Sequence, residues 1–155
     1  MSANRMRQRR IAQETKNILT NPPSGIKVTI DENNLDYWKA IIDGPPDTPY
    51  EGGKFALDVF LPENYPYNPP IIKFATKVYH PNISFFGKIC LDTLKPQGWV
   101  CAMQISSVLQ TIQQLLANPN LEDPLNLEVN NLWLSNPAQA KSNARDYTQK
   151  YAHAQ

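Results

Sequence analysis

Phe55-Ala56-Leu57-Asp58-Val59-Phe60-Leu61, residues 55–61, puts Phe55, Leu57, Val59 and Leu61 on one face of an extended chain. That period of two marks a strand with one buried side. Upstream lie two further extended stretches, Ile26-Lys27-Val28-Thr29-Ile30 and Tyr37 to Ile42. Asp31-Glu32-Asn33-Asn34 and Gly44-Pro45-Pro46-Asp47-Thr48-Pro49 link the three with ordinary turn chemistry. Downstream, Tyr65-Pro66-Tyr67-Asn68-Pro69-Pro70 leads into a fourth strand, Ile71 to Phe74. Links this short favour an antiparallel meander over crossover units. Farther out the period changes to helical. Ile11, Thr15, Ile18 and Leu19 form a stripe stopped by Asn21-Pro22-Pro23. On the other side, Ile105, Val108, Leu109, Ile112, Leu115 and Leu116 form a strong stripe ended by Asn118-Pro119. A weaker helix is predicted over Leu125–Leu134, and Asn136-Pro137 opens a last one to about Ala152. One helix, four strands, a long loop and three helices make an α+β fold.

The chain has 155 residues, near the common size of one domain, and a 41% apolar fraction suffices for one core. Residues 1–155 are expected to form a single domain. No run approaches the eighteen or so apolar residues of a spanning helix, so no membrane association is expected. Met1 to Arg10 is polar and basic, unlike a secretory leader, and Glu14 argues against a mitochondrial transit segment. Fifteen basic and 14 acidic residues leave a net charge of +1, which gives no support to a nucleic-acid binder. Arg5, Arg7, Arg9, Arg10 and Lys16 nevertheless crowd the first helix, as a solvated face or as a docking surface for an acidic protein.

Two cysteines occur, Cys90 and Cys101. Without a leader, a reducing compartment (cytoplasm or nucleus) is expected, where a structural disulfide is disfavoured. Cys90, Cys101, His80 and His153 lack paired metal-ligand spacing, so no metal is expected. A reactive thiol and an inert buried one both remain open.

From Thr76 to Gly98 no period is evident, and loops this long inside a compact domain are usually functional. Within it stand Tyr79-His80-Pro81-Asn82-Ile83, then Gly87-Lys88-Ile89-Cys90-Leu91-Asp92, then Trp99. Around it stand Pro49-Tyr50-Glu51-Gly52-Gly53, Tyr65-Pro66 with Pro69-Pro70, and Asn118-Pro119-Asn120 with Asp123-Pro124-Leu125. In this order, over roughly Arg9 to Ala152, these residues resemble the ubiquitin-conjugating enzymes. The resemblance implies that Cys90 takes ubiquitin as a thioester from an activating enzyme and passes it to a lysine amine. ATP is used by that upstream enzyme, so no cofactor is expected on this chain. A thiol of ordinary pKa is already partly thiolate at neutral pH and needs no His base. Attack by the amine builds charge on the carbonyl oxygen, for which the Asn82 amide is the matching donor. Asn82 has a second reading, as a pin that bonds the loop backbone. Asp123 matches the family's acidic residue at the cleft mouth, where it would orient or deprotonate the incoming lysine; alternatively it is a turn residue before Pro124. His80 is expected to be structural, with its ring bonded within the loop.

The resemblance also implies partner surfaces. Arg9 and Arg10 would meet the activating enzyme. Tyr67 and Val100-Cys101-Ala102 would meet a ubiquitin ligase of RING type, although many family members read Ser-Pro-Ala at the latter. An additional residue lies in Lys95-Pro96-Gln97-Gly98, and Leu121 replaces the usual Pro, which is expected to loosen the turn carrying Asp123. Within the family, Pro23-Ser24-Gly25-Ile26-Lys27, Gln104-Ile105 and Ala138-Gln139-Ala140 resemble the member that pairs with an inactive conjugating-enzyme variant to build non-degradative signalling chains. In such a heterodimer Asp58, Phe60 and Phe86 would face the inactive variant. Two alternatives stand beside this: a catalytically silent ubiquitin-binding scaffold of the same fold, and an enzyme for another ubiquitin-like modifier. Retention of Cys90 argues against the first, and the lack of a larger insertion between Cys90 and the second helix against the other.

Overall fold

The alternating stretches close into one antiparallel sheet in the order β1-β2-β3-β4, in a computed structural model that describes residues 2–155; Met1, the first residue of the expected domain, lies outside the described residues. The elements are α1 (Ala3–Thr20), β1 (Ile26–Asp31), β2 (Asn34–Asp43), β3 (Lys54–Phe60), β4 (Ile71–Phe74), a 3-10 turn (Asp92–Leu94), α2 (Ile105–Ala117), α3 (Leu127–Ser135) and α4 (Pro137–Tyr151). The register sets Trp38 against Ile30 and Val59, and Ala40 against Val28 and Leu57. Trp38, Ala40, Ile42, Phe55, Leu57, Val59, Ile72 and Phe74 therefore share one buried face. The stripe on α2 is buried throughout, and α1 and α2 both pack on β2. The opposite face of the sheet is open. There Tyr37, Phe60 and Ile71 line up across three strands, with Lys39, Asp58 and Lys73 in the next row.

Three element starts are each set by a local side-chain bond. The first helix begins at Ala3 because the Ser2 hydroxyl caps Arg5 N–H, so the polar segment is helical as well. Its buried residues are Ile11, Glu14 and Ile18, whereas Leu19, expected on the stripe, is exposed. The strand β2 starts at Asn34, since an Asx turn at Asp31 reverses the chain over only Glu32 and Asn33. The helix α3 starts at Leu127, where the Asn126 side chain caps Val129 N–H.

Glu14 is the unusual member of the core. One carboxylate oxygen accepts Ile105 N–H at 2.8 Å and so caps α2, whose own N-cap residue Gln104 makes no such bond. The other oxygen accepts Arg10 Nε at 2.9 Å and the Tyr65 hydroxyl.

Candidate active site

The unpatterned stretch folds into a small hairpin that the sequence does not announce. Ile83 bridges Ile89, Ser84 N–H bonds Lys88 O, and Cys90 N–H bonds Asn82 O at 2.8 Å. Gly87 closes its tip with φ of 95°; a Cβ there would lie 2.1 Å from Phe74 O, so only glycine lets the tip dock on β4. Phe85 turns inward, near Tyr79 and Tyr147, and Lys77 Nζ sits 5.5–5.8 Å over the Phe85, Tyr147 and Tyr151 rings. This cation–π cluster ties the hairpin to α4. Phe86, its neighbour, points out and is 94% exposed.

Beneath the hairpin lies His80, fully buried. Its Nδ1 accepts Asn82 N–H at 3.0 Å, so Nε2 carries the proton and donates to Leu115 O at 2.8 Å. Burial lowers its pKa to about 4. A neutral ring with both nitrogens bonded is a structural member, and its bonds reach beyond the loop to α2.

Asn82 is also buried and makes three bonds with the segment that carries Asp123. Its Nδ2 donates to Asn120 O at 2.8 Å and Asp123 O at 3.1 Å, and its Oδ1 accepts Asn120 N–H at 2.8 Å. Pro81 O accepts both Leu125 and Asn126 N–H, each at 2.9 Å. Leu121 packs partly buried against the core, so the turn expected to be loose is held at several points.

Cys90 comes to rest between these two segments, partly exposed. Its sulfur is 3.7 Å from the carbonyl oxygen of Asp123 and 3.7 Å from Asp123 Oδ2. Burial first, and then the Asp123 charge, push the thiol pKa up, while Lys95 pulls it down. The resting thiol is therefore less ionised than the ordinary cysteine expected from sequence. Lys95 is a neighbour that the sequence pattern did not single out. Its Nζ is 3.4 Å from Asp92 Oδ1 and 3.9 Å from Asp123 Oδ2. The additional residue in Lys95–Gly98 is absorbed by a turn in which Lys95 O accepts both Gly98 and Trp99 N–H, each at 3.0 Å.

This is a hydrogen-bonded frame around one thiol, two carboxylates and one ammonium, over a fold with N-terminal helix, four-strand meander and three C-terminal helices. The model of the family described as ubiquitin-conjugating enzyme matches residues 10–148. The chain belongs to the ubiquitin-conjugating enzyme family. It is similar to "Ubiquitin-conjugating enzyme E2 N" of Drosophila melanogaster, 51% identical over 93% of this chain and 95% of that protein. It is similar also to "Ubiquitin-conjugating enzyme E2 13" of Schizosaccharomyces pombe, 47% identical over 93% of this chain and 97% of that one. Among solved structures, the E2 domain of a Toxoplasma gondii ubiquitin conjugating enzyme superposes with a TM-score of 0.87 at 40% identity, covering 94% of this chain and 99% of that one. Ubiquitin conjugation, with its dependence on ubiquitin, an activating enzyme and ligases, is thus the activity of this chain.

The remaining sites named from sequence are scattered over the surface. Arg9 is exposed, but Arg10 donates to Glu14, to Cys101 O at 2.7 Å and to Met103 O, so its guanidinium is spent inside the chain. Of the pair expected to meet an activating enzyme, only Arg9 therefore has its guanidinium free of such bonds among the described residues. Arg7 is likewise held, by Pro62 O, Leu61 O and Asp36. Tyr67, Val100, Cys101 and Ala102 are all exposed, and Trp99 Nε1 donates to Pro66 O at 2.7 Å, which draws their two loops together. Phe60 is 45% exposed and stacks on Tyr37, whose hydroxyl donates to Asp58 at 2.6 Å. Among the described residues no group of three or more His, Cys, Asp or Glu is disposed to hold a metal ion, and no helix is long and apolar enough to cross a membrane.

Proposed function

We propose that Cys90 is the residue that carries ubiquitin, as a thioester received from the activating enzyme, and that Asp123 receives the lysine that takes it. The observation that supports this best is the meeting of an accessible thiol with a carboxylate 3.7 Å away, on two segments joined by Asn82. In the transfer, the neutral amine forms a C–N bond to the thioester carbonyl and the C–S bond breaks. The sulfur leaves as thiolate, and the proton lost by the amine passes to water by way of Asp123. Asn82 acts first by positioning Asp123, because both of its N–H donors already face carbonyls; it becomes an oxyanion donor only by exchanging one of them.

The experiment is a charging assay with activating enzyme, ATP and ubiquitin. The parent protein forms an adduct that thiol reductant removes, Cys90→Ala forms none, and Cys90→Ser forms a reductant-resistant ester. Charging by Cys90→Ala, with loss of charging in Cys101→Ala, would move the site to the other thiol.

Residues 1–155 are taken as one conjugating core, acting in the cytoplasm or nucleus, where the thiol stays reduced. Arg9 is assigned to the activating-enzyme contact, and Tyr67 with Val100-Cys101-Ala102 to a RING-type ligase. The apolar patch of Phe60, Ile71 and Phe86 supports pairing with an inactive conjugating-enzyme variant to build signalling chains, since each of the three is exposed.

A further inference from the structure

We infer that Lys95 is an internal occupant of the acceptor position, an ammonium already seated at the carboxylate that an incoming lysine must reach. This inference rests on the assignment of Cys90 and Asp123 above and deepens it.

Asp123 Oδ2 is 3.7 Å from the sulfur, and Lys95 Nζ is 3.9 Å from that same oxygen. The opposite tether of Lys95 is Asp92, at 3.4 Å. The backbone of Lys95 is fixed: its N–H bonds Asp92 O at 3.0 Å, and its carbonyl accepts Gly98 and Trp99 N–H. A close approach by Gly98 makes that turn possible, because a Cβ there would lie 2.1 Å from Asp92 O. The side chain, in contrast, is 41% exposed and free to swing toward solvent. The charged groups facing the thiol are thus Asp123, Asp92 and Lys95, and together Cys90, Asp92 and Asp123 favour the charged form of Lys95.

An acceptor lysine is the same chemical group as the one already there. Two ammonium groups at one carboxylate repel each other, so the incoming amine binds only as Lys95 swings away toward Asp92 or water. Lys95 is a positioning residue in this scheme: it touches no reacting atom, and it sets how strongly Asp123 attracts the acceptor.

Its test is single-turnover discharge of the ubiquitin-charged protein to free lysine, at fixed ionic strength. Lys95→Gln should lower the half-saturating lysine concentration about two- to fivefold, the scale of an exposed ion pair, with the maximal rate unchanged. Lys95→Arg keeps the competing cation and should match the parent. Hydroxylamine, a nucleophile uncharged at neutral pH, should discharge all three alike. An unmoved half-saturation in Lys95→Gln, a shift shared by Lys95→Arg, or equal acceleration with hydroxylamine would each overturn the inference. Absence of charging at Cys90 would instead defeat the underlying thioester assignment, and this inference with it.

Discussion

Asn82→Ala separates two jobs that one side chain has been asked to do. The substitution deletes the bonds to Asn120 O, Asp123 O and Asn120 N–H, and it leaves those backbone groups without their partner. At about 1 kcal/mol net for each bond, the expected loss of stability is about 3 kcal/mol. For a chain of this length that corresponds to roughly 6–12 °C in Tm. Charging should remain near the parent rate, because Cys90 and its backbone bond to residue 82 persist. Discharge to lysine should slow by about a hundredfold, as expected when a reacting group is displaced by about an ångström. If the loss comes through a misplaced Asp123, it should shrink as the pH approaches the lysine pKa, since more of the amine then arrives neutral and hydroxide can take up the proton released on attack. The measurements are calorimetric Tm and single-turnover discharge over a pH series. An unchanged Tm with a discharge defect of constant size at every pH would refute the positioning role and leave the amide acting on the oxyanion.

Two further outcomes follow from the buried polar groups. His80 has a folded pKa of about 4, below the unfolded value of 6.5, so the unfolded chain binds the extra proton first. Its contribution, on the order of 3 kcal/mol, should be fully present above about pH 6.5 and lost as pH falls toward 4; ring NMR shifts that titrate near pH 6.5 would contradict its burial. Glu14→Ala leaves Arg10, Tyr65 and the start of α2 without their shared acceptor. A loss of about 3–5 kcal/mol in urea unfolding is expected, and one below about 1 kcal/mol would show that the network is dispensable.

The elements legible in the sequence were those whose signal is local. The alternation of β3 and the stripe of α2 each record which side is buried, and the turns between strands carry their own chemistry. The resemblance then drew Cys90, Asn82 and Asp123 together across a loop with no period. What escaped was set by partners distant in the chain. Glu14 looked like the odd acid in a basic helix, and only its reach of 91 residues to Ile105 explains it. The His80 ring has a partner 35 residues away. Lys95 gains meaning from Asp123, which no spacing rule pairs with it. Arg10 looked no different from Arg9, although one helical step turns it from solvent toward the loops it binds.

That last step bears on how mutations of the first helix should be understood. Arg10 and Glu14 act as a joint between α1, the loop of Tyr65 and the strip Val100–Met103. An alanine scan along the basic residues would therefore mix two unlike injuries. A change at Arg9 removes a charge from an outer face, whereas a change at Arg10 unseats from within the strip Val100–Met103, which is proposed to meet a ligase. Two defects that score alike in charging or in chain building would then have different origins, and failed upstream encounter would be confused with failed downstream presentation.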